Sequence, residues 1–272
     1  MSRAQDGGSV KITYIGTATT LVQVDNIIIL TDPYFSEQGT QWPGKSGVTL
    51  VNSYTPAMNL CDLPPIDLIL LSHEDHKDNL DNIGRQLLDG RRVVTTRDGA
   101  RNLQPREGVR GLRPGETTDV EIGNGTVYSV TATPCQHLPP GECIGFVLTS
   151  DRLGSTDGKP NAIYISGDTA YMDELATLGD RYNISIALIH LGRAMIPGPD
   201  GETMQITMDV EQGLKLGQQI GAKTIVPIHF EGWNHFTEDR STLVDAIEKS
   251  GSKNRFVVLE PGVGTSIGLG LS

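Results

Sequence analysis

The sequence predicts an α/β (α+β) fold, an αββα sandwich in which two β-sheets pack face to face under outer helices. Three observations predict it. Each half of the chain is strand-rich at first and then mixed β/α. Two mainly apolar runs stand out, 66–71, which reads as a buried strand, and 184–191, which reads as a strand. Ligand-type side chains follow directly after such strands, where one rim of a sheet collects them.

The elements follow in order. Residues 10–15, 20–24 and 27–31 are β-branched runs separated by Gly16-Thr17 and Asp25-Asn26, and the last two read as a hairpin. A glycine- and proline-marked loop spans 32–65, a length usual for lids and binding loops. After the strand at 66–71, a helix is expected over 80–88, ended by Gly90. A strand at 92–95 follows, with Asp98 as the cap of a short helix. From 111 to 149 the pattern is β, with strands at 117–122, 126–133 and 144–149. The polar loop 151–160 is the expected boundary between two halves, 1–150 and 151–272, of one domain. Then come a strand at 162–166, a helix to about residue 178 and a strand at 184–191. A helix at 208–220 ends at Gly221 and precedes a strand at 224–228. An amphipathic helix at 237–249, with Thr237 as its cap, precedes strands at 256–259 and 265–267.

Composition excludes several function classes. The formal net charge is -11, and no Lys/Arg-rich stretch offers the cationic surface that nucleic acid requires. The apolar runs are far too short for a membrane span. Residues 1–8 lack an apolar signal core, so a cytoplasmic protein is expected. On that footing the glycosylation patterns at Asn124 and Asn183 carry little weight. Cys61, Cys135 and Cys143 form no CxxC pair, and their odd number argues against a disulfide framework. The expected partner is a small-molecule substrate, and a homo-oligomer stays open. There are 32 glycines in 272 residues, well above the usual ~7%, which points to tight turns and loop-borne function.

The six histidines carry the chemical signal: His73, His76, His137, His190, His229 and His235. At least four follow or end an expected strand, and so does Asp168. Imidazole and carboxylate gathered at one rim are ligands for zinc or a similar divalent ion. The densest stretch is Leu70-Leu-Ser-His-Glu-Asp-His-Lys-Asp-Asn-Leu-Asp81, which holds His73, Asp75, His76 and Asp78. Taken alone it reads as a solvated, helix-capping acidic turn. Three further segments shift the balance: Thr131-Ala-Thr-Pro-Cys-Gln-His137, Tyr164-Ile-Ser-Gly-Asp168-Thr and Val226-Pro-Ile-His229.

In these segments, together with Thr31-Asp-Pro33, the chain resembles the metallo-β-lactamase superfamily. The branch it resembles contains ascorbate-6-phosphate lactonase and N-acyl-phosphatidylethanolamine phospholipase D. The motifs occur in that family's order over most of the chain. The resemblance implies a metallo-β-lactamase-type αββα sandwich with one or two divalent ions, zinc first, with manganese and iron open. It departs from the family at the signature H-x-H-x-D-H. Read from His73, the pattern gives Asp75, Lys77 and Asp78. Read from Glu74, it gives His76, Asp78 and Asn79. The second register is favoured, with His73 as the third contact of the segment. Asn79 then stands where the family has its last histidine, which weakens the second metal site. The resemblance further implies that His137 completes the first site, Asp168 bridges, His229 serves the second site and Asp32 supports them from behind.

The implied reaction is hydrolysis of a small molecule by metal-bound hydroxide, with a lactone or other cyclic ester or amide favoured. Asp78 would orient the water and accept its proton. His190 would protonate the leaving group or line the pocket, or is simply a buried, hydrogen-bonded histidine. Arg193 is a candidate anion contact, and His235, near Trp233 and Phe236, orients substrate or packs. Two rivals remain: a phosphodiesterase on a small phosphorylated substrate, and a metal-poor binding or regulatory protein on a hydrolase scaffold. A di-iron redox role would want a flavin-binding domain that this chain lacks. Gly39-Thr-Gln-Trp-Pro-Gly-Lys-Ser46 matches the P-loop pattern but has no helix start after it, and Pro43 removes an N–H from the would-be cradle.

Overall fold

The computed structural model describes residues 9–43, 49–123, 125–138, 141–197 and 202–269. Residues 1–8, Asn124 and the last three positions of the P-loop-like stretch, residues 44–46, lie outside them.

The first strands are β1 (Ser9–Gly16), β2 (Thr19–Val24), β3 (Ile27–Thr31), β4 (Gln41–Pro43) and β5 (Thr49–Val51). Next come β6 (Leu68–Leu70), β7 (Val93–Thr96), β8 (Val109–Leu112), β9 (Thr117–Ile122), β10 (Thr126–Pro134) and β11 (Ile144–Thr149). The last are β12 (Ser155–Thr156), β13 (Lys159–Ile165), β14 (Asn183–His190), β15 (Met195–Pro197), β16 (Thr203–Gln205), β17 (Thr224–Ile228) and β18 (Gly264–Gly268). The helices are α1 (Arg97–Asn102), α2 (Asp173–Ala176), α3 (Leu178–Arg181), α4 (Val210–Gln219) and α5 (Arg240–Lys249).

Among the described residues, one sheet runs β18-β1-β2-β3-β6-β7-β8 and the other β17-β14-β13-β11-β10-β9, with β12 paired beside β13. The period of two decides what each face meets. Leu68 and Leu70 of β6 face the central core, while Ile69 faces the opposite side. Ile186 and Leu188 of β14 join the same central core, while Ala187 and Ile189 face outward. Both sheets contribute to that central core, Val10, Ile29 and Leu68 from one and Val130, Phe146 and Ile163 from the other. Outside it, Tyr164 and Ile189 pack against Leu216 and Leu243 of the helices. On the other side Leu30 and Leu71 pack against Leu80, Leu87 and Leu103. The four-layer αββα sandwich expected from the sequence is therefore present.

Parallel pairing aligns strand ends. β3, β6, β7 and β8 are mutually parallel in the first sheet, and β13, β14 and β17 in the second. Asp32 follows β3, His73 lies just past β6, Asp168 just past β13, His190 ends β14 and His229 follows β17. Main-chain hydrogen bonds stitch the two sheets together at this rim. Ile144 N–H donates to the Ser72 carbonyl at 3.1 Å, and His229 N–H to the Thr17 carbonyl at 2.8 Å.

Several expectations need correction. Instead of an α-helix over 80–88, a 3₁₀ turn spans Gly84–Leu88. The Asp81 carboxylate accepts the Gly84 N–H at 2.6 Å, and side-chain capture of this kind competes with a helical ladder. A Cβ on Gly84 would also overlap the Pro33 carbonyl, so this turn must carry glycine. The cap of α1 is Thr96, which accepts Gly99 N–H at 3.1 Å, although Asp98 accepts the same N–H at 2.7 Å. Asp239 caps α5, because the Thr237 hydroxyl donates to the Arg193 carbonyl at 2.8 Å instead. The helix expected after Asp168 starts only at Asp173 and breaks into two short turns. Residues 256–259 make a single bridge, Phe256 to Ile225, and no strand. There the Leu259 carbonyl accepts from Arg240 at 3.3 Å, away from the ladder. The loop 32–65 contains the β4/β5 hairpin. The chain changes sheets between β8 and β9, whereas loop 151–160 joins β11 to β13, neighbours in one sheet.

Candidate metal centre

Two histidine groups meet at the rim. His73, His76 and His137 offer ligand atoms within 4.8 Å of one another, and so do Asp168, His190 and His229. His76 Nδ1 and His137 Nε2 are 3.1 Å apart. Asp168 links the groups, with Oδ1 2.7 Å from His190 Nδ1 and 3.4 Å from His229 Nε2, and Oδ2 3.9 Å from His73 Nε2. Asp78 Oδ2 lies 3.7 Å from His229 Nε2 and 3.6 Å from His235 Nε2. The first group is partly open through His76 and His137, whereas Asp168, His190 and His229 are buried.

Local structure holds these groups in place. Asp32, in a left-handed conformation at φ 33°, accepts the Ser72 N–H at 2.7 Å and so fixes the turn that presents His73. Ser72 Oγ is 2.8 Å from His73 Nδ1. His137 Nδ1 lies 2.8 Å from the Ile206 carbonyl, leaving Nε2 to face His76. His229 also adopts a left-handed conformation, φ 58°, which turns the chain at the end of β17. With its nitrogen turned toward the carboxylates, the Asn79 amide donates to Asp168 Oδ2 and Asp78 Oδ1, both at 3.2 Å.

Two sequence candidates stay outside this cluster. Arg193 is exposed, and what it contributes is its main chain: its N–H donates to the Met208 carbonyl at 3.1 Å. Asp75 is also exposed. His190 and His235 both join the cluster. The Ile206 carbonyl, Ser72 and the Cys143 thiol, 3.5 Å from His73 Nδ1, were missed. A main-chain carbonyl carries no residue-type signal, so nothing in the sequence marks residue 206.

The electrostatics call for a cation. Burial alone would raise the Asp168 carboxyl, but the His229 and His190 imidazoles hold it well below the ordinary carboxylate range. Burial would likewise raise Asp78, and His229 and His235 hold it low. Burial pulls the His229 imidazole down, yet Asp168 and Asp78 push it up to about 9. In the metal-free protein that proton serves as the site's positive charge. Burial lowers His73, His137, His190 and His235.

A pH profile follows for the metal-free protein. The stability contributed by His229 is complete below its unfolded value of ~6.5 and is lost as pH rises through about 9. The four lowered histidines act oppositely: each costs stability as pH falls below ~6.5, where the unfolded chain takes up a proton that the fold refuses. The Asp32 carboxyl, pushed up by burial, opposes them but is outnumbered. Chelator-treated protein should therefore be most stable near pH ~6.5. A melting-temperature series from pH 5 to 9 that rose or fell throughout would contradict this assignment.

The donor set fits a divalent ion. Donors ~2.1 Å from a tetrahedral ion sit ~3.4 Å apart. Most separations in the cluster, at 3.1 to 3.9 Å, bracket that value. His73 Nε2, His190 Nε2, both ring nitrogens of His229 and His235 Nδ1 are buried without a hydrogen-bond partner. Buried nitrogens left without partners are costly, and an ion would satisfy those that face the carboxylates, His73 Nε2 and His229 Nε2.

Comparison with known proteins agrees. The model of a family described as the beta-lactamase superfamily domain matches residues 28–230. A UPF0173 metal-dependent hydrolase from Methanoregula boonei is 28% identical over 152 residues, 51% of this chain and 60% of that protein. The match thus spans less than two thirds of that relative's length. Another protein of that description, from an Exiguobacterium species, is 22% identical over 88% of this chain and 94% of its own length. The solved structure of an isothiocyanate hydrolase from Delia radicum gut bacteria aligns with a TM-score of 0.75 at 22% identity. That alignment covers 94% of this chain and 98% of the other, and at such identity it shows a shared fold.

Proposed function

The chain belongs to the beta-lactamase superfamily domain family, and from that premise we propose that it is a metal-dependent hydrolase of a small molecule. One observation carries the reading: five separate strand ends deliver six imidazoles and two carboxylates to one rim, with several buried nitrogens left unpartnered. The first ion would be held by His73, His76 and His137 with Asp168, and the second by Asp168, Asp78 and His229. An imidazole-rich set suits zinc better than manganese and leaves iron open. Divalent ions, when bound, supply Lewis acidity and bring the ionisation of water from about 15.7 toward ~7.

The chain's own residues do the rest. Asp78 is ionised at any working pH, so it orients the attacking water by accepting its O–H. His190 has no solvent exposure and its Nδ1 faces Asp168, which takes it out of direct reach of substrate. His235 Nε2 stands 3.6 Å from Asp78 Oδ2 and, kept neutral by burial, is placed to orient the substrate by hydrogen bonding rather than to protonate it. Substrate enters from the His76 and His137 side, the partly exposed part of the cluster. Trp233 Nε1 donates to Thr17 Oγ1 at 3.0 Å and its ring meets Tyr34 edge-on at 5.2 Å, forming a fixed wall beside His235. A neutral cyclic ester or amide is the favoured substrate class, with a rim built of imidazoles and carboxylates and Arg193 exposed outside the cluster.

The test is a panel of γ- and δ-lactones, cyclic amides and phosphodiesters, run on zinc-loaded and chelator-treated protein. Lactone turnover that chelation removes and zinc restores is expected. Turnover of phosphodiesters alone would replace the substrate assignment. Zinc-loaded protein that turns over nothing while binding panel members would favour a binding role instead.

A further inference from the structure

We propose that His190 is a ligand of the second metal ion, completing with Asp168, His229 and Asp78 a buried four-residue site distinct in character from the half-open site of His73, His76 and His137. This rests on the metal centre argued above and adds to it a residue not counted there as a ligand.

Geometry carries the inference. His190 and His229 end adjacent parallel strands, β14 and β17. Their rings stack at 5.2 Å with an interplanar angle of 16°. Both reach the same oxygen, Asp168 Oδ1, His190 through Nδ1 at 2.7 Å and His229 through Nε2 at 3.4 Å. Two parallel imidazoles aimed at one carboxylate oxygen would offer an ion three donors from one side. Asp78 Oδ2, 3.7 Å from His229 Nε2, supplies the next donor. Asn79 does not, because turning its amide nitrogen to Asp168 Oδ2 and Asp78 Oδ1 points its oxygen, the atom that would ligate, away from them. Both histidines are buried, and His190 Nε2 and the two nitrogens of His229 have no partner. A histidine that served only to orient Asp168 would need one nitrogen and could leave the other to solvent or a main-chain acceptor. At His190 neither alternative is present.

The rival role, a purely orienting hydrogen bond to Asp168, is separable by experiment. His190→Asn keeps an N–H donor near the Nδ1 position but removes the imidazole ligand, and His190→Ala removes both. Each purified protein, shown folded by circular dichroism, is stripped and titrated with Co²⁺ and Zn²⁺, reading stoichiometry and the visible absorption of bound cobalt. The wild type should take two equivalents. Both variants should keep the first and bind the second at least ~100-fold more weakly, beyond the 10–100-fold that losing an outer partner costs. Retention of both equivalents by His190→Asn would overturn the inference, as would a wild type that holds a single ion. A wild type that binds no metal at all would instead bring down the hydrolase reading on which this one rests.

Discussion

Asp168→Asn lowers kcat/KM by at least about 10³-fold, roughly 4 kcal/mol of transition-state stabilisation, and empties both metal groups. Asp168 is the one carboxylate that lies near His73 of the first group and beside His190 and His229 of the second. Asparagine has the same shape, so packing among the buried neighbours is kept while the charge and one oxygen donor are lost. A second readout separates this from misfolding. The Asp168 carboxylate is the largest upward influence on His229, so in the metal-free variant that imidazole should titrate below its value of about 9. Imidazole resonances followed by NMR across pH report it. A variant that keeps its metal and its rate would show that Asp168 does not link the groups.

The second large effect concerns stability. Asp81→Ala should cost about 3–5 kcal/mol, because the Asp81 carboxylate is fully buried and anchors three donors. Oδ2 accepts Phe35 N–H at 3.1 Å and the Ser36 hydroxyl at 2.5 Å, and Oδ1 accepts Gly84 N–H at 2.6 Å. Removal leaves these donors buried without partners and unties the segment after Asp32 from the turn behind the site. A fall of about 10 °C in melting temperature is expected for a chain of this size. Metal stoichiometry should stay at the wild-type value, since Asp81 touches no imidazole of the cluster. A melting temperature within about 2 °C of wild type would contradict the role given to this anchor.

Much of the scaffold was legible because burial imposes a period. β1, β2, β3, β14 and β17 lie within a residue or two of their expected places, β14 and β17 because a strand between two packed layers must be apolar on both faces, β1 because its apolar residues alternate. The cluster was legible because histidine and aspartate at strand ends are few and chemically distinctive. What escaped was whatever depends on a partner far along the chain. The 3₁₀ turn at Gly84 exists because Asp81 captures its N–H and Pro33 crowds it, and neither fact is local periodicity. The cap at Asp239 in place of Thr237 depends on where the Arg193 carbonyl lies. Arg193 read as an anion contact because it follows His190 closely, yet the tight turn at Gly192 leaves it exposed. The Asn79 position was legible as a departure from the signature, but not its consequence, an amide shared between two carboxylates.

The most direct test of the central claim is elemental analysis of the purified protein, wild type beside the double variant His137→Ala, Asp168→Ala. The account predicts about two equivalents of zinc, manganese or iron in the wild type and less than about half an equivalent in the double variant. A wild type that holds no metal, even after stripping and reloading, would contradict it and leave a binding protein on a hydrolase scaffold.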